Sequence, residues 1–367
     1  MKPMSAMYYI RANRSRSLVM ILLMFLSVTV FFIGNFIHSD ERSFDKSSEY
    51  HEKMIRISQM SIDEDGKDFD TFVGNLKEVF SNIKFIPRGR YVGNLTRKSL
   101  MGLELATEPF VFNNASDMKE AFDVLGIEMD FTNIKDRSMV LSKNLADNLG
   151  LKLGDKVNSE TVKGSKLQTE FTLDGIIDDG AYQVFYICDN GNPYEYYVYD
   201  VKDTISTRDF HKVVSASKYK LKVYVSEFES DSVKRNFEPI NFLFYTIAVL
   251  VAVVLAIVAN TVITGFFMKR KYEFGVLRAI GISKNRIKLK VAAEFVIIDL
   301  IGTAVGFIVG FVIVYLLNSF CFIPAGKYMI YYSNVGLVGF LLCNMLIMIP
   351  MIILKGNQMA KADVTEF

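Results

Sequence analysis

The segment from residue 268 to residue 290 is strongly basic, with eight lysines and arginines and one glutamate. Within it, apolar residues occur at three-residue intervals: Phe274, Leu277 and Ile280. This spacing predicts an amphipathic helix with a single apolar stripe, which Glu273 and Arg278 flank. Such a helix is suited to dock in a groove of another protein, with polar contacts that fix its orientation. The alternative is a helix that lies on a membrane surface and is held by lipid headgroups.

Catalytic chemistry has no comparable signal in the sequence. The three cysteines and three histidines are too scattered to indicate a disulfide framework or a metal centre; they are Cys188, Cys321, Cys343, His38, His51 and His211. The Gly-Lys pairs at 66–67 and 326–327 are not followed by Ser or Thr, so neither belongs to a GxxxxGK[ST] phosphate-binding loop. We therefore expect a chain that is not an enzyme and has no cofactor of its own.

The elements that position the basic segment are long apolar runs. Hydrophobic residues make up 51% of the 367 positions and charged residues 22%, with a mean hydropathy of +0.24 and a net charge of only +2, which does not indicate nucleic-acid binding. Four runs have the length of about 20 residues that crosses a bilayer: residues 18–37, 240–267, 298–317 and 335–354. The first run exceeds the apolar core of a signal peptide and lacks a small-x-small cleavage pattern, so we expect a retained anchor.

Lysine and arginine predict the orientation of these runs, because basic flanking segments remain on the cytoplasmic side. The first 17 residues carry four basic side chains and no acid. Residues 268–290 have a net charge of +7, whereas residues 38–238, with 27 basic and 35 acidic side chains, have a net charge of −8. We therefore expect both termini and the basic segment in the cytoplasm and the large domain outside.

The predicted fold is a membrane protein of four transmembrane α-helices, one before and three after a large α+β extracytoplasmic domain. The boundaries, in chain order, are 1–17 for the cytoplasmic N-terminus, 18–37 for the first span, 38–239 for the α+β domain, 240–267 for the second span with a stalk, 268–297 for the cytoplasmic coupling segment and lead-in, 298–317 for the third span, 318–334 for an outer loop, 335–354 for the fourth span and 355–367 for the cytoplasmic tail.

The third span carries Gly302, Gly306 and Gly310 at four-residue spacing, which places three bare patches of backbone on one helix face. This pattern predicts a seam where another helix packs closely, in the same chain or in another. The alternative is chance, since glycine is common in membrane helices. Asp299 and Glu294, which precede the cleanest part of this span, are expected at the cytoplasmic interface.

Residues 38–239 indicate mixed helices and strands. Residues 116–125 predict a capped amphipathic helix, and residues 172–177 alternate as in a strand. Two tyrosine-rich runs, 182–187 and 194–201, surround an Asp-Asn-Gly-Asn-Pro sequence and predict a β-hairpin. Their tyrosines would form either a binding surface or cross-strand aromatic pairs, and pairing is the simpler expectation.

Two stretches resemble a known family. Residues 269–281, KRKYEFGVLRAIG, resemble the coupling segment of MacB/FtsX-type ABC permeases, the membrane subunits of type VII ABC transporters. Residues 139–157 resemble the strand–helix–turn of the MacB-like extracytoplasmic core domain, with Ser142 as a predicted N-cap and Gly150 ending the helix. A weaker likeness to the family's ending lies near residues 350–363, where Val364 stands in place of the usual proline.

The resemblance implies a non-catalytic permease in the bacterial plasma membrane that transmits ATPase-driven motion to export or extract an amphiphilic substrate, such as a peptide, an antimicrobial compound or a lipoprotein. It implies a separate ABC ATPase chain that carries ATP and Mg²⁺, a second copy or a related permease, and contact with membrane lipid. The residues that it assigns to ATPase coupling are Glu273, Phe274, Gly275, Leu277, Arg278, Ala279 and Gly281. Two alternatives remain: an FtsX-like regulator of a cell-wall hydrolase, and an extracytoplasmic ligand receptor that works without an ATPase.

Overall fold

The computed structural model describes residues 14–59, 67–80, 82–189, 195–201, 210, 212, 221–224, 226–268 and 270–361. The N-terminal lysine and first arginine, the turn of the predicted hairpin and the residues after 361 lie outside the described residues. The chain divides into two compact units. We call Met1–His38, Glu238–Leu317 and Met329–Phe367 the helical unit, and Ser39–Phe237 with Asn318–Tyr328 the α/β unit.

Eight α-helices are described. They are α1 (Arg14–Lys53), α2 (Lys67–Val79), α3 (Ala115–Leu125), α4 (Lys143–Leu149), α5 (Ser226–Met268), α6 (Lys271–Ala279), α7 (Lys284–Leu317) and α8 (Asn334–Ala360). A π-helical turn (Asn318–Phe322) and a 3₁₀ turn (Ile323–Ala325) follow α7.

Eleven strands are described, and all belong to the α/β unit. They are β1 (Ile55–Gln59), β2 (Ile83–Pro87), β3 (Leu95–Lys98), β4 (Glu104–Thr107), β5 (Pro109–Phe112), β6 (Ser138–Ser142), β7 (Lys156–Val157), β8 (Phe171–Ile177), β9 (Val184–Ile187), β10 (Glu195–Asp200) and β11 (Leu221–Tyr224).

Helices α1, α5, α7 and α8 are long and apolar enough to cross a membrane, in agreement with the four predicted runs. Each continues beyond its predicted span, because polar residues extend a helix without adding to its apolar length. The longest, α5, has 43 residues, or about 64 Å at ~1.5 Å per residue.

Polar side chains join the long helices of the helical unit. Asn35 of α1 is fully buried; its amide donates to the carbonyl of Tyr331 at 2.8 Å and its oxygen accepts from Ser333 at 2.7 Å. Ser333 also accepts from the backbone of Gly336 and so caps α8. Asp299 of α7 accepts from Asn344 of α8 at 2.8 Å. Such bonds hold helices together where lipid supplies no partner.

The glycines of α7 face α1. A Cβ at Gly302 would come within 2.7 Å of the Ile21 carbonyl oxygen, and one at Gly306 within 2.8 Å of the Val28 side chain. At Gly310 it would collide with the ring of Phe32. The contact at all three positions is therefore with a helix of the same chain, one of the two possibilities that the spacing left open.

The five-stranded sheet of the α/β unit has the order β5-β9-β6-β8-β7 and is covered on both faces. Alternate residues of β9 point to opposite sides. Phe185 and Ile187 lie in the core beneath α3, whereas Val184 and Tyr186 lie in the core beneath α4. This interior strand, with all four of its residues buried, fixes α3 and α4 on opposite faces of the sheet.

The second large sheet has the order β11-β1-β10-β2 and is antiparallel throughout. Phe72 and Leu76 of α2 pack on one of its faces with Ile57 and Val198. Because β1 and β11 are neighbours, with Arg56 opposite Tyr224, the strand that follows α1 lies beside the strand that precedes α5.

The predicted hairpin of residues 182–201 is wrong. Its two strands form, but β9 pairs with β5 and β6, while β10 pairs with β1 and β2 in the other large sheet. The physical reason is burial, since β9 requires a strand on each side and a cover on each face. Its tyrosines, with those of β10, are mostly core residues: Tyr182, Tyr186, Tyr197 and Tyr199 are all buried.

The glycine seam gives the first prediction. Gly306→Leu should lower the thermal unfolding midpoint of the detergent-solubilised chain, because overpacking a tight contact costs about 1–3 kcal/mol. Gly265→Leu is the matched control, since a Cβ at Gly265, also in a long helix, meets nothing within 4 Å. Equal midpoints for the two variants would show that the seam contributes nothing to packing.

Candidate functional site: a charged helix docked on α7

Helix α6 is the element formed by the basic segment. It begins after Arg270, and Gly281 follows it with a φ of +88°. The backbone amides of Gly281 and Ile282 donate to the carbonyls of Arg278 and Leu277, which closes the helix before α7 begins. Glycine is favoured at position 281 because L side chains rarely adopt a positive φ.

One face of α6 is buried in the helical unit. Phe274 is fully buried and Leu277 is 5% exposed. Both belong to the core that includes Ile287 and Val291 of α7 and Met359 of α8. Apolar packing therefore fixes α6 against the first turns of α7.

Four charged side chains, which we call the α6–α7 charge cluster, surround Phe274. Arg270 makes a bidentate pair with Glu294, at 2.7 Å and 3.1 Å. Glu273 accepts from Arg270 and from Lys290, each at 3.1 Å. Arg270, Lys290 and Glu294 are 7%, 4% and 3% exposed. Two positive and two negative charges thus neutralise one another, and three of the four are buried while the Glu273 side chain is 26% exposed.

The cations of the cluster also contact the Phe274 ring. The guanidinium carbon of Arg270 lies 5.0 Å from the ring centroid, and the Lys290 ammonium lies 5.6 Å from it. Burial lowers the pKa of Arg270, but Glu294 and Glu273 raise it by more, so the pKa lies above its ordinary value. Arg270 therefore remains charged and holds both carboxylates.

The burial of α6 changes the predicted docking stripe. Phe274 and Leu277 face the protein interior, and of the three stripe residues Ile280 alone is well exposed, at 67%. The periodicity identifies an apolar face, but that face is buried in the core of the same chain. The apolar side chains on the opposite side of α6 are Tyr272, Val276 and Ile280, spaced four apart and exposed.

The remaining motif residues have separate positions. Glu273 belongs to the charge cluster, and Gly275 is buried beside Phe274. Arg278 is half-buried and donates to the carbonyl of Ala360, the last residue of α8, at 2.8 Å. Ala279 is exposed on the last turn of α6.

The sequence reading missed the roles of Arg270, Lys290 and Glu294. A signal existed, because Lys290 and Glu294 are four apart and lie on one helix face. The sequence does not indicate that Glu294 on this face forms an ion pair with Arg270, the residue just before α6. Within the described residues, no group of three or more His, Cys, Asp or Glu side chains is arranged to hold a metal ion.

Residues 244–358 match the family described as FtsX-like permease C-terminal. This part of the chain is similar to the C-terminal domain of FtsX-like permeases. It includes α6, α7 and nearly all of α8, and therefore the whole charge cluster and the three glycines of α7. The four apolar helices and this match, which covers less than half of the chain, support a multi-pass membrane protein.

Other comparisons add little to the FtsX-like match. No curated protein matches the sequence. Among solved structures, one match is a crystal structure of a domain of a protein described as a permease, from Porphyromonas gingivalis, with 12% identity and a TM-score of 0.26. It covers 47% of this chain and 89% of that one. A TM-score this low carries no argument about fold or function.

The charge cluster gives the second prediction. Glu294→Gln should lower the unfolding midpoint markedly, because a buried cation that loses its charged partner costs about 3–5 kcal/mol. Glu170→Gln is the control: Glu170 pairs with Lys156 at the surface, where an ion pair is worth about 0–1 kcal/mol. Unfolding would be followed in detergent by circular dichroism, and an equal shift in both variants would contradict a stabilising cluster.

Proposed function

We propose that this protein is the membrane subunit of an ABC transporter, moved by a separate ATPase that binds ATP and Mg²⁺. The observation that carries the proposal is the position of α6 within the FtsX-like permease domain, with an exposed apolar face on a short helix fixed to a long one. The resemblance of residues 269–281 to the coupling segment of MacB/FtsX-type permeases supports the same role.

The docking surface that we propose is the exposed face of α6, formed by Tyr272, Val276, Ala279 and Ile280. Exposed Lys284 and Arg286 follow it at the start of α7. An ATPase groove with an apolar floor and an acidic rim would complement this surface. This replaces the predicted stripe, because a buried Phe274 or Leu277 has no surface to offer a partner.

The charge cluster would make α6 and α7 move together. A force applied to the exposed face of α6 acts on Arg270 and Glu273, and their bonds to Glu294 and Lys290 pass it to α7. Separating the helices would break the ion pairs of the cluster and leave buried charges without their partners. We therefore propose that the cluster is the link through which ATPase motion enters the long helices.

The charge distribution supports an orientation in which both termini and α6 are cytoplasmic and the α/β unit is extracytoplasmic. The resemblance of residues 139–157 to the MacB-like core domain favours a MacB-type transporter that exports or extracts an amphiphilic substrate. A peptide, an antimicrobial compound or a lipoprotein fits this class. We also propose that a second copy or a related permease completes the assembly in lipid.

Orientation gives the third prediction. In a background with Cys188→Ser and Cys321→Ser, which removes the native cysteines that are not buried, Lys163→Cys should react with an impermeant maleimide in intact cells. Ser283→Cys, on the α6–α7 connection, should react only after the membrane is opened. The reverse pattern would show that the proposed orientation is wrong.

Docking gives the fourth prediction. Val276→Asp and Ile280→Asp should reduce ATPase association by about tenfold or more, because a docking residue in a desolvated contact is worth roughly 2 kcal/mol. Both positions are exposed, so the variants should fold normally. Co-purification and ATPase activity of the reconstituted complex are the measurements.

Two variants serve as controls for this prediction. Leu277→Asp should fail differently, with a lower unfolding midpoint, since Leu277 is buried. Leu153→Asp, at an exposed site of the α/β unit, should leave both association and stability unchanged. Wild-type association of Val276→Asp and Ile280→Asp would contradict the docking surface, whereas a wild-type chain with which no ATPase co-purifies would favour an ATPase-independent receptor.

A further inference from the structure

Helix α4 lies between two segments that adjoin spans in the sequence. One is the C-terminal end of α1, which carries Tyr50. The other is Asn318–Tyr328, which we call the α7–α8 connection because it follows α7 and leads toward α8. Both segments belong to the α/β unit, as does α4, so their contacts are part of one compact body.

The α7–α8 connection contacts α4 through backbone atoms. Gly326 is buried and has a φ of +60°, and a Cβ at this position would collide with the carbonyl oxygen of Asn144 and the backbone nitrogen of Asn148. The buried Tyr182 hydroxyl donates to the Gly326 carbonyl at 2.7 Å. The Asn148 amide donates to the neighbouring carbonyl of Ala325 at 3.1 Å. Position 326 therefore requires glycine both for its conformation and for this close approach.

Strand β3 positions Asn148 and Tyr182, the two side chains that donate hydrogen bonds to the α7–α8 connection. The Asn148 side chain accepts from the Lys98 backbone at 2.9 Å and donates to the Lys98 carbonyl at 3.0 Å. The Arg97 guanidinium lies 4.1 Å from the centroid of the Tyr182 ring and is buried. Both donors to the connection are thus positioned by the same strand, which indicates a preformed contact.

The contact with α1 passes through a carboxylate at the other end of α4. Tyr50 donates to Asp179 at 2.8 Å, and Ser142 donates to the same carboxylate oxygen at 2.9 Å. Ser142 occupies the predicted N-cap position of α4, but its hydroxyl makes no cap hydrogen bond. It accepts instead from the Gln183 backbone at 3.1 Å. The side chain expected to cap α4 is therefore used to join it to α1.

We infer that α4 is a mechanical junction that couples the C-terminal end of α1 to the α7–α8 connection. Its N-terminal end is held through Ser142 and Asp179, and the connection contacts Asn144 in its first turn and Asn148 at the opposite end. Leu145 and Ala146 are buried between these ends, so a displacement of either segment is passed along a packed element. The junction offers a route between the α7–α8 connection and α1 that is independent of the covalent path through α5.

This inference relies on the proposed function only for the origin of the motion, and the coupling itself is testable without an ATPase. Thermodynamic coupling is reciprocal, so releasing either contact should loosen the other. Hydrogen–deuterium exchange of the full chain in lipid nanodiscs measures both.

Gly326→Ala should speed exchange of the amides of residues 326–327, and also of Ala181, whose amide donates to Asp179. We expect about five- to tenfold, the effect of losing one or two hydrogen bonds. Tyr50→Phe, which keeps the ring and removes one donor, should speed exchange at residues 326–327 in turn. Gly126→Ala is the matched control, since Gly126 has a φ of +70° but open space around its Cβ position; neither site should respond. If each variant affects only its own contact, α4 holds two independent contacts and the inference is wrong.

A second experiment adds the partner ATPase with ATP and vanadate. The wild type should show a nucleotide-dependent change in exchange over α4, which Gly326→Ala should lose while ATPase co-purification persists. Persistence of the change in Gly326→Ala would overturn the junction. If the ATPase does not co-purify with the wild type, the proposed function fails, whereas the reciprocal exchange experiment still decides the junction.

Discussion

Opposite charges brought together in an apolar core determine where α6 lies. Arg270 cannot leave Glu294 without leaving a buried charge unpaired, and Glu273 cannot turn outward without abandoning both Arg270 and Lys290. The cluster therefore selects one face of α6 for the interior. The apolar side chains on the other face remain exposed because the charge cluster and Phe274 occupy the buried face. The proposed docking surface follows from an internal electrostatic constraint.

Features of the fold that depend on the composition of one continuous segment could be predicted from the sequence. The four spans follow from apolar length, and the helix that begins near residue 115 follows from its cap and from Gly126. Strand partners could not be predicted in this way. The turn sequence between β9 and β10 favours a hairpin locally, but β9 gains more from burial between β5 and β6 than from pairing with its sequence neighbour. Strand pairing of this kind depends on residues far away in the sequence, since Val184 of β9 lies opposite Pro109 of β5, 75 positions earlier.

The candidate site was predictable as a segment but not as a surface. The motif and its periodicity located α6 correctly within the chain. They could not predict which side of α6 is buried, because Phe274 and Ile280 are both apolar and differ only in the residues that surround them. The partner of the glycine seam was undetermined for the same reason. The spacing of residues shows which of them share a face of one helix, but it does not show which other helix that face contacts.

The pairing of β1 with β11 has a consequence for the evolution of the chain. These are the first and last described strands of the α/β unit, and their antiparallel pairing places the strand that follows α1 beside the strand that precedes α5. A domain with adjacent ends can be inserted into a host or exchanged for another without changing the spacing of the host segments. The described strands of the α/β unit thus meet the geometric condition for exchange of the unit as a cassette. A replacement has one further requirement: a pocket that accepts the bare backbone of Gly326.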